Sequence, residues 1–140
     1  MSTERTLALV KPHAFKFGPE IMRAYKGEGL TILRFEPIMF DERTAGEFYL
    51  EHKGKPFYKG LVTYMASSPC IAILLEGENA VAKVREINGA TNPREADPNS
   101  IRGRYKDLYD PNNRPANFVH GSDSSEAAAR EIQLVFKGRF

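Results

Sequence analysis

Four short apolar runs divide the chain and predict four β-strands. They are Thr6–Val10, Leu30–Met39, Cys70–Leu75 and the pair Phe118-Val119. The run at Cys70–Leu75 is continuously apolar, which is typical of a strand buried on both faces and therefore central in its sheet. Pro37 interrupts the second run, so we expect that strand to lie at an edge or to carry a bulge.

Between these runs, apolar residues recur at helical spacing. This periodicity predicts helices over Pro19–Lys26, from a cap at Asp41 to about His52, over Pro56–Ala66, from Glu78 or Asn79 to about Ile87, and over Ser124–Phe136. Residues 90–116 are rich in Pro, Asn, Asp and Gly and show no sustained period. We expect a long loop there, and loops of this length in compact domains are usually functional.

The order of elements is strand, helix, strand, two helices, strand, helix, long loop, strand, helix. It predicts an α/β (α+β) fold of the ferredoxin-like βαββαβ type, in which helices cover one face of a four-stranded antiparallel sheet and a long loop precedes His120. A doubly wound sheet has the same mixed order, but four strands favour the smaller fold. The 140 residues fit a single domain, residues 1–140.

Composition excludes several classes of protein. With 41% hydrophobic and 27% charged residues, the chain resembles an ordinary globular protein. A net charge of +2 does not indicate a dedicated nucleic-acid binder. No stretch is long enough to cross a bilayer, and residues 1–5 lack the pattern of a signal peptide. Cys70 is the single cysteine and lies in an apolar run, so we expect it to be buried and the protein to be cytoplasmic.

The most informative stretch for chemistry is His120-Gly121-Ser122-Asp123, at the junction of the fourth strand and the last helix. Asp123 and Glu126 have the spacing of a capping box, which places a helix N-terminus beside His120. The helix dipole would favour a neutral imidazole and attract a phosphate. We therefore predict that His120 is a nucleophile toward phosphorus. The alternative is a histidine that only hydrogen-bonds a loop.

Other residues supply what a phosphoryl-transfer site needs. Lys11, Arg85 and Arg102 could neutralise phosphate charge, Thr91 could donate a hydroxyl hydrogen bond, and Phe57 could stack on a base. Each also has a structural interpretation: solvated cations, a turn residue and a core aromatic.

Taken together, these motifs resemble one family. They are Lys11-Pro12, Tyr49 and His52 ahead of Pro56-Phe57, Arg85 ahead of Gly89-Ala90-Thr91-Asn92-Pro93, Ile101-Arg102-Gly103, and Asn117-Phe118-Val119-His120-Gly121-Ser122-Asp123-Ser124. In this order, from about Thr6 to about Phe136, the chain is similar to nucleoside diphosphate kinases.

The resemblance implies a ping-pong exchange in which His120 accepts the terminal phosphate of a nucleoside triphosphate and passes it to a diphosphate. It also assigns roles to matching positions. Lys11 and Asn117 would hold the ribose hydroxyls, with Lys11 also near the transferred group; His52, Arg85, Thr91 and Arg102 would hold phosphates; Phe57 would stack on the base; Tyr49 and Ser122 would support the histidine; Glu131 would orient its ring.

The implied substrates are ATP, GTP, ADP, GDP and their deoxy forms. Mg²⁺ is the implied cofactor, bridging phosphate oxygens and held by nucleotide and water, with no ligand expected from protein side chains. The implied assembly is a homo-oligomer built from dimers, a hexamer or a tetramer. We expect no membrane contact and no dedicated nucleic-acid binding.

Three features depart from the family pattern. His13 stands where an aspartate is usual, Arg104 stands where an aspartate commonly follows Ile-Arg-Gly, and residues 105–116 form a longer segment than usual. Two other functions remain open at this point. A non-catalytic relative would keep the fold without exchange activity, and an RNA-binding domain of the RRM type would stack bases on strand aromatics, whereas the apolar runs here are mostly aliphatic.

Overall fold

The computed structural model describes residues 3–137, with four strands in one antiparallel sheet. The strands are β1 (Thr3–Val10), β2 (Thr31–Ile38), β3 (Cys70–Glu78) and β4 (Val119–Gly121). Their order is β2-β3-β1-β4, so β3 is central, as predicted. Strand β2 lies at an edge and is bulged between Ile32 and Arg34, which agrees with the prediction from Pro37.

Six α-helices accompany the strands in the described part of the chain. They are α1 (Gly18–Gly27), α2 (Glu42–Phe48), α3 (Tyr58–Met65), α4 (Ala80–Asn88), α5 (Ile101–Arg104) and α6 (Ser125–Ile132). Three predicted helices are shorter than expected. The helix predicted over Pro56–Ala66 spans only Tyr58–Met65. The helix capped by Asp41 ends at Phe48 and continues as a 3-10 turn over Leu50–His52, and the last becomes a π-turn over Gln133–Lys137.

The long segment predicted to be loop contains short helices, so that prediction was wrong in part. It holds 3-10 turns at Pro93–Glu95 and Lys106–Leu108 as well as α5. Ser100 caps α5 by accepting a hydrogen bond from the Gly103 amide at 3.1 Å. Such elements are too short to show a helical period in the sequence.

Helices cover both faces of the sheet, which corrects the predicted one-faced cover. On one face, Ala8 and Val10 of β1 pack with Ile21 of α1 and Val84 of α4. On the other face, Leu7 and Leu9 of β1 belong to a second buried cluster. It also contains Phe48 of α2, Met65 of α3, Cys70, Val135 and Phe136. The continuous apolarity of β1 is the signal for burial on both faces.

No helix among the described residues is long and apolar enough to cross a membrane.

Candidate active site

Strand β4 delivers His120 to the sheet edge beside β1. His120 pairs with Leu9 in the antiparallel register, and Phe118, just before the strand, has a φ of 79°. A bulky residue in this left-handed region costs about 1–3 kcal/mol, which the surrounding core must offset. Gly121 lies so close to α4 that an added Cβ would stand 2.9 Å from Val84 Cγ1. The turn carrying His120 is therefore fixed by packing on both sides.

The His120 ring is held by a buried carboxylate. His120 Nε2 lies 2.8 Å from Glu131 Oε1, and the Ser122 hydroxyl donates to the same oxygen at 2.7 Å. Although burial opposes ionisation, the hydrogen bonds from His120 and Ser122 hold the pKa of Glu131 below its usual value. Because an ionised carboxylate only accepts hydrogen bonds, Nε2 carries a proton, and in the neutral tautomer of the ring the free lone pair is therefore on Nδ1.

Aromatic rings enclose the same imidazole. The ring centroids of Phe48 and Tyr49 lie 5.1 and 5.8 Å from that of His120, both edge to face. Tyr49 is only 4% exposed, and its hydroxyl has no hydrogen-bond partner within residues 3–137. Burial raises the pKa of this hydroxyl, so it stays protonated and is available as a donor at the cavity.

The last helix starts within one residue of its predicted start, but the predicted capping residue was wrong. Ser124, not Asp123, is the N-cap of α6, and its hydroxyl accepts from the Ala127 amide at 3.0 Å. The imidazole meets α6 at Glu131, the seventh of its eight residues, about 9 Å along the axis from Ser125. A carboxylate, rather than the positive end of this helix, therefore orients the ring.

Lys11 and Asn117 form a buried pair next to the histidine. The Lys11 ammonium donates to Asn117 Oδ1 at 2.8 Å and to the Pro115 carbonyl at 3.0 Å, and the Asn117 amide donates to the Thr91 carbonyl at 2.9 Å. Burial, reinforced by the charge of Arg102, lowers the pKa of Lys11 to about 7. An anionic ligand would restore its charge, since phosphate favours the protonated amine.

Arg102 connects its own helix to two other backbone segments, one at Gly89 and one at 117–119. Its guanidinium donates to the carbonyls of Asn117, Gly89 and Val119 at 3.1, 2.7 and 2.6 Å. Burial lowers its pKa to about 10, so it remains a cation at neutral pH. Three of its five N–H groups are engaged in this way, which leaves two for a phosphate. The sequence prediction of a phosphate ligand did not foresee this bracing contact.

The remaining predicted residues surround the opening. Phe57 is 50% exposed, with its ring 5.1 Å from that of His52, and Arg85 and Thr91 are exposed. His52 also lies within hydrogen-bond distance of Lys55, at 3.2 Å. These positions leave a flat aromatic face, a guanidinium, an imidazole and a hydroxyl accessible at the cavity.

One cavity of about 480 Å³ brings together every predicted site residue except Ser122, which is buried behind Glu131. Sequence reasoning missed the other lining residues, which are Glu51, Leu61, Asn88, Gly89, Arg114, Pro115, Val119, Gly121 and Asp123. Leu61 and Asn88 lie one helical turn from Phe57 and Arg85, a spacing that could have indicated them. Nothing local distinguished Arg114 or Pro115 in their aperiodic segment.

The donor set at the cavity suits a metal that arrives with its ligand. Among the described residues no group of three or more His, Cys, Asp or Glu side chains is placed to hold an ion. Glu51 and Asp123 line the cavity singly, beside the cations Lys11, Arg85, Arg102 and Arg114. Anionic oxygens from a bound nucleotide would supply the oxygen ligands that Mg²⁺ requires.

Comparisons with known proteins agree with this geometry. The family model for nucleoside diphosphate kinase matches residues 4–139. The nucleoside diphosphate kinase of Campylobacter lari is 45% identical over 95% of each chain, and that of Staphylothermus marinus is 42% identical over 98% of this chain and 95% of its own.

Solved structures of such enzymes also resemble this one. The Aquifex aeolicus nucleoside diphosphate kinase has a TM-score of 0.89 at 41% identity, covering 98% of this chain and 97% of its own. The Halobacterium salinarum enzyme, solved in complex with CDP, has a TM-score of 0.86 at 37% identity, covering 96% and 88%.

Proposed function

The chain belongs to the nucleoside diphosphate kinase family, and from this premise we propose that His120 carries the phosphoryl group between two nucleotides. As a family member, the protein is a phosphotransferase that moves the terminal phosphate of a nucleoside triphosphate to a nucleoside diphosphate. The observation that carries the proposal is the contact of His120 Nε2 with Glu131, because it leaves Nδ1 as the nucleophile.

In the first half-reaction, the Nδ1 lone pair attacks the terminal phosphorus. The N–P bond forms, the bond from phosphorus to the bridging oxygen breaks, and the nucleoside diphosphate leaves with that oxygen's electrons. Nδ1 has no proton to lose, and Nε2 keeps its proton toward Glu131, whose negative charge stabilises the phosphorylated ring. In the second half-reaction, a terminal oxygen of another diphosphate attacks the same phosphorus and the N–P bond breaks.

The cavity cations supply the charge neutralisation that phosphoryl transfer needs. We propose that Arg85, Arg102 and His52 hold phosphate oxygens, with a hydrogen bond from the Thr91 hydroxyl, and that Lys11 lies near the transferred group. All of them line the same cavity as His120, which supports this assignment.

We assign the sugar and the base to further residues of the same cavity, with Lys11 shared between the ribose and the transferred group. Lys11 and Asn117, already paired at 2.8 Å, would bind the ribose hydroxyls, and the exposed ring of Phe57 would stack on the base. Tyr49 would donate its unpartnered hydroxyl toward the histidine, and Ser122 would support it through Glu131. The substrates proposed are ATP, GTP, ADP, GDP and their deoxy forms.

Mg²⁺ is the proposed cofactor, and it would enter with the nucleotide. When bound, it would neutralise charge on the phosphate oxygens and orient them. The cavity offers single carboxylates rather than a ligand cage, which supports a metal held by phosphate and water.

We further propose a homo-oligomer built from dimers, a tetramer or a hexamer. Its support is the edge strand β2, where Leu33 and Phe35, together with Met39 just after the strand, are 41%, 57% and 47% exposed. Apolar side chains on an unpaired edge strand favour pairing with another copy.

We also propose that residues 1–140 are one domain, since both packed clusters share one sheet and the family model spans residues 4–139. A cytoplasmic location is proposed as well. The buried, unpaired thiol of Cys70 suits a reducing compartment.

A two-stage exchange assay tests the proposed function. The protein is incubated with Mg²⁺ and ATP labelled at the terminal phosphate, freed of nucleotide, and then mixed with GDP. We expect label on the protein first and on GTP afterwards. A His120→Ala variant should do neither, while His13→Ala, which alters a histidine outside the cavity, should still do both. A His120→Ala protein that made labelled GTP would contradict the assignment.

A further inference from the structure

Residues 105–116, the segment before β4 that is longer than usual in the family, border the opening of the cavity. This segment is called the strap below, and internal hydrogen bonds fix its backbone. Within it, the Asn113 amide donates to the Asp110 carbonyl at 2.8 Å and the Ala116 amide to the Asn113 carbonyl at 3.0 Å. The Tyr109 ring is buried, 6.5 Å from Phe118, which anchors the start of the strap. The position of Arg114 is therefore set by the backbone on both sides.

Arg114 lies next in the chain to a residue that contacts the pair proposed to bind the ribose, Lys11 and Asn117. The residue after it, Pro115, accepts a hydrogen bond from the Lys11 ammonium at 3.0 Å, and Lys11 in turn contacts Asn117. Arg114 and Phe57 both line the cavity and both are exposed. A base stacked on Phe57 would thus have the Arg114 guanidinium within the same opening.

The guanidinium of Arg114 is also uncommitted. No hydrogen bond or ion pair joins it to any side chain or carbonyl within residues 3–137. Arg102, by contrast, uses three of its N–H groups on backbone carbonyls. Arg114, like Arg85, therefore has all its guanidinium N–H groups available for a ligand, and of the two only Arg114 directly precedes Pro115, whose carbonyl accepts from Lys11.

Donors and acceptors on a base edge determine which bases suit this fork. Guanine presents two neighbouring acceptors, O6 and N7, which match the two parallel N–H groups of a guanidinium. Adenine presents N7 beside an amino group, which is a donor and cannot accept from arginine. Stacking on Phe57 does not distinguish the two purines, since both have a π-face.

We propose that Arg114 is a specificity-determining residue that favours diphosphates of 6-keto purines over ADP by donating to O6 and N7 of the stacked base. This inference rests on the proposed nucleotide site. The preference would be superimposed on broad acceptance, because phosphate and ribose contacts are the same for every nucleotide.

The test measures how fast phosphorylated protein transfers its phosphate to GDP, IDP or ADP, as kcat/KM for each acceptor. IDP keeps O6 and N7 but lacks the 2-amino group of GDP. We expect IDP to follow GDP, and Arg114→Ala to reduce the GDP to ADP ratio by about tenfold, the size of one lost bidentate base contact.

Two further variants sharpen the result. Arg114→Lys keeps the charge and an ammonium that can still donate to O6 or N7, but it loses the planar pair of N–H groups, so its GDP to ADP ratio should lie between those of the parent and Arg114→Ala. Arg104→Ala removes an exposed arginine outside the cavity and should keep the parent ratio. Each variant must first take up label from ATP; failure of the parent protein at that step would overturn the proposed function rather than this inference.

Three results would overturn the inference. If Arg114→Ala lowered kcat/KM equally for GDP, IDP and ADP, Arg114 would contact the phosphates rather than the base. An unchanged ratio would show that it contacts no base. A ratio that favours ADP in the parent and is lost in Glu51→Gln would assign base selection to the carboxylate of Glu51, which also lines the cavity.

Discussion

At the scale of single residues, Glu131 controls both the orientation of the His120 ring and which of its nitrogens faces the cavity as the nucleophile. Its carboxylate accepts from His120 Nε2 and from the Ser122 hydroxyl through one oxygen. The Ser122 contact is buried, so water does not replace it when the hydroxyl is removed. Ser122 is thus a positioning residue, which acts on His120 through Glu131.

Replacing Ser122 by alanine tests this relay. A hydrogen bond to a charged group contributes about 1.5–3 kcal/mol, so we expect phosphorylation of His120 by ATP to slow by about tenfold or more. Loss of the donor also raises the pKa of Glu131, so the decline of the rate at acidic pH should begin at a higher pH. Rapid-quench rates across pH measure both effects. Ser67→Ala is the control, because it removes an exposed hydroxyl outside the cavity. If the rate of Ser122→Ala declined at the same acidic pH as that of the parent, Ser122 would not act on His120 through Glu131.

Lys11 gives a second prediction, through stability. Its pKa is about 7 when folded and near 10.5 when unfolded, so the unfolded chain holds more protons between these values. The free energy of unfolding of the nucleotide-free protein should therefore rise with pH, by about 1 kcal/mol per pH unit from about pH 7 to about pH 8.5.

Above about pH 9, Cys70 lowers the free energy of unfolding as pH rises. Burial raises the pKa of its thiol to about 12, so the folded chain keeps a proton that the unfolded chain loses. Urea titrations at several pH values in the range given for Lys11 measure how steeply the free energy of unfolding rises with pH. Lys11→Met should flatten it, and Lys16→Met, at an exposed lysine, should not. An equal slope in the Lys11 variant would show that this amine does not titrate as described.

The sequence predicted site residues that stand in recognisable motifs. It did not predict contacts between residues that are distant along the chain. Lys11, Arg85 and His120 stand in recognisable motifs, and the cavity contains all three. The contact of Glu131 with His120 spans eleven positions along the chain, and no spacing rule indicates it. The bracing role of Arg102 depends on three carbonyls from two separate segments, which only folding brings together.

At the scale of elements, the packing of α4 against β4 places Arg85 beside His120. Gly121 makes the close approach possible, since a Cβ there would lie 2.9 Å from Val84 Cγ1 and 3.0 Å from Asn88 Nδ2. Asn88 is held in turn by the Tyr25 hydroxyl at 2.6 Å, so it has little freedom to move away. The close contact between α4 and β4 therefore depends on the absence of a side chain at Gly121.

Gly121→Ala should force α4 and β4 apart. Overpacking of this kind costs about 1–3 kcal/mol of unfolding free energy, and we expect exchange activity to fall as Arg85 moves with the helix. Chemical denaturation and the exchange assay measure the two effects. Gly60→Ala is the matched control, because an added Cβ on α3 meets nothing within 4 Å. Equal stability of the two variants would contradict the packing argument.

The elements show where pattern reasoning succeeds and where it stops. Strands β1 and β3 were predictable because their apolar runs are long, although the structure extends β3 to Glu78. The start of α6 was misplaced because Asp123 and Ser124 are both good caps, and only the Ser124 hydroxyl is oriented toward the Ala127 amide.

At the scale of the whole molecule, the exposed β2 edge is the feature that the single chain leaves unexplained. Its apolar side chains would be covered by a second copy in the proposed dimer. The sequence could indicate this edge through Pro37, but the exposure of Phe35 follows from the strand order β2-β3-β1-β4. Strand order depends on connections between distant segments and is not encoded in any local pattern.

Phe35→Lys should weaken assembly. A charge in an apolar contact between edge strands is costly to bury, so we expect analytical ultracentrifugation to show a smaller species than the parent at equal concentration. Leu108→Lys changes a residue of equal exposure, 57%, away from β2 and should leave the mass unchanged. If only the Leu108 variant dissociated, the interface would lie elsewhere.

The central claim is that Nδ1 of His120 carries the phosphate, because Glu131 holds the other nitrogen. Phosphorus NMR of the protein after incubation with ATP and Mg²⁺, combined with peptide mapping, tests it most directly, since the two phosphohistidine isomers give distinct resonances. We predict a single acid-labile phosphate at His120, bonded through Nδ1. Phosphate on Nε2, or on another residue such as His52 or Ser122, would contradict the account.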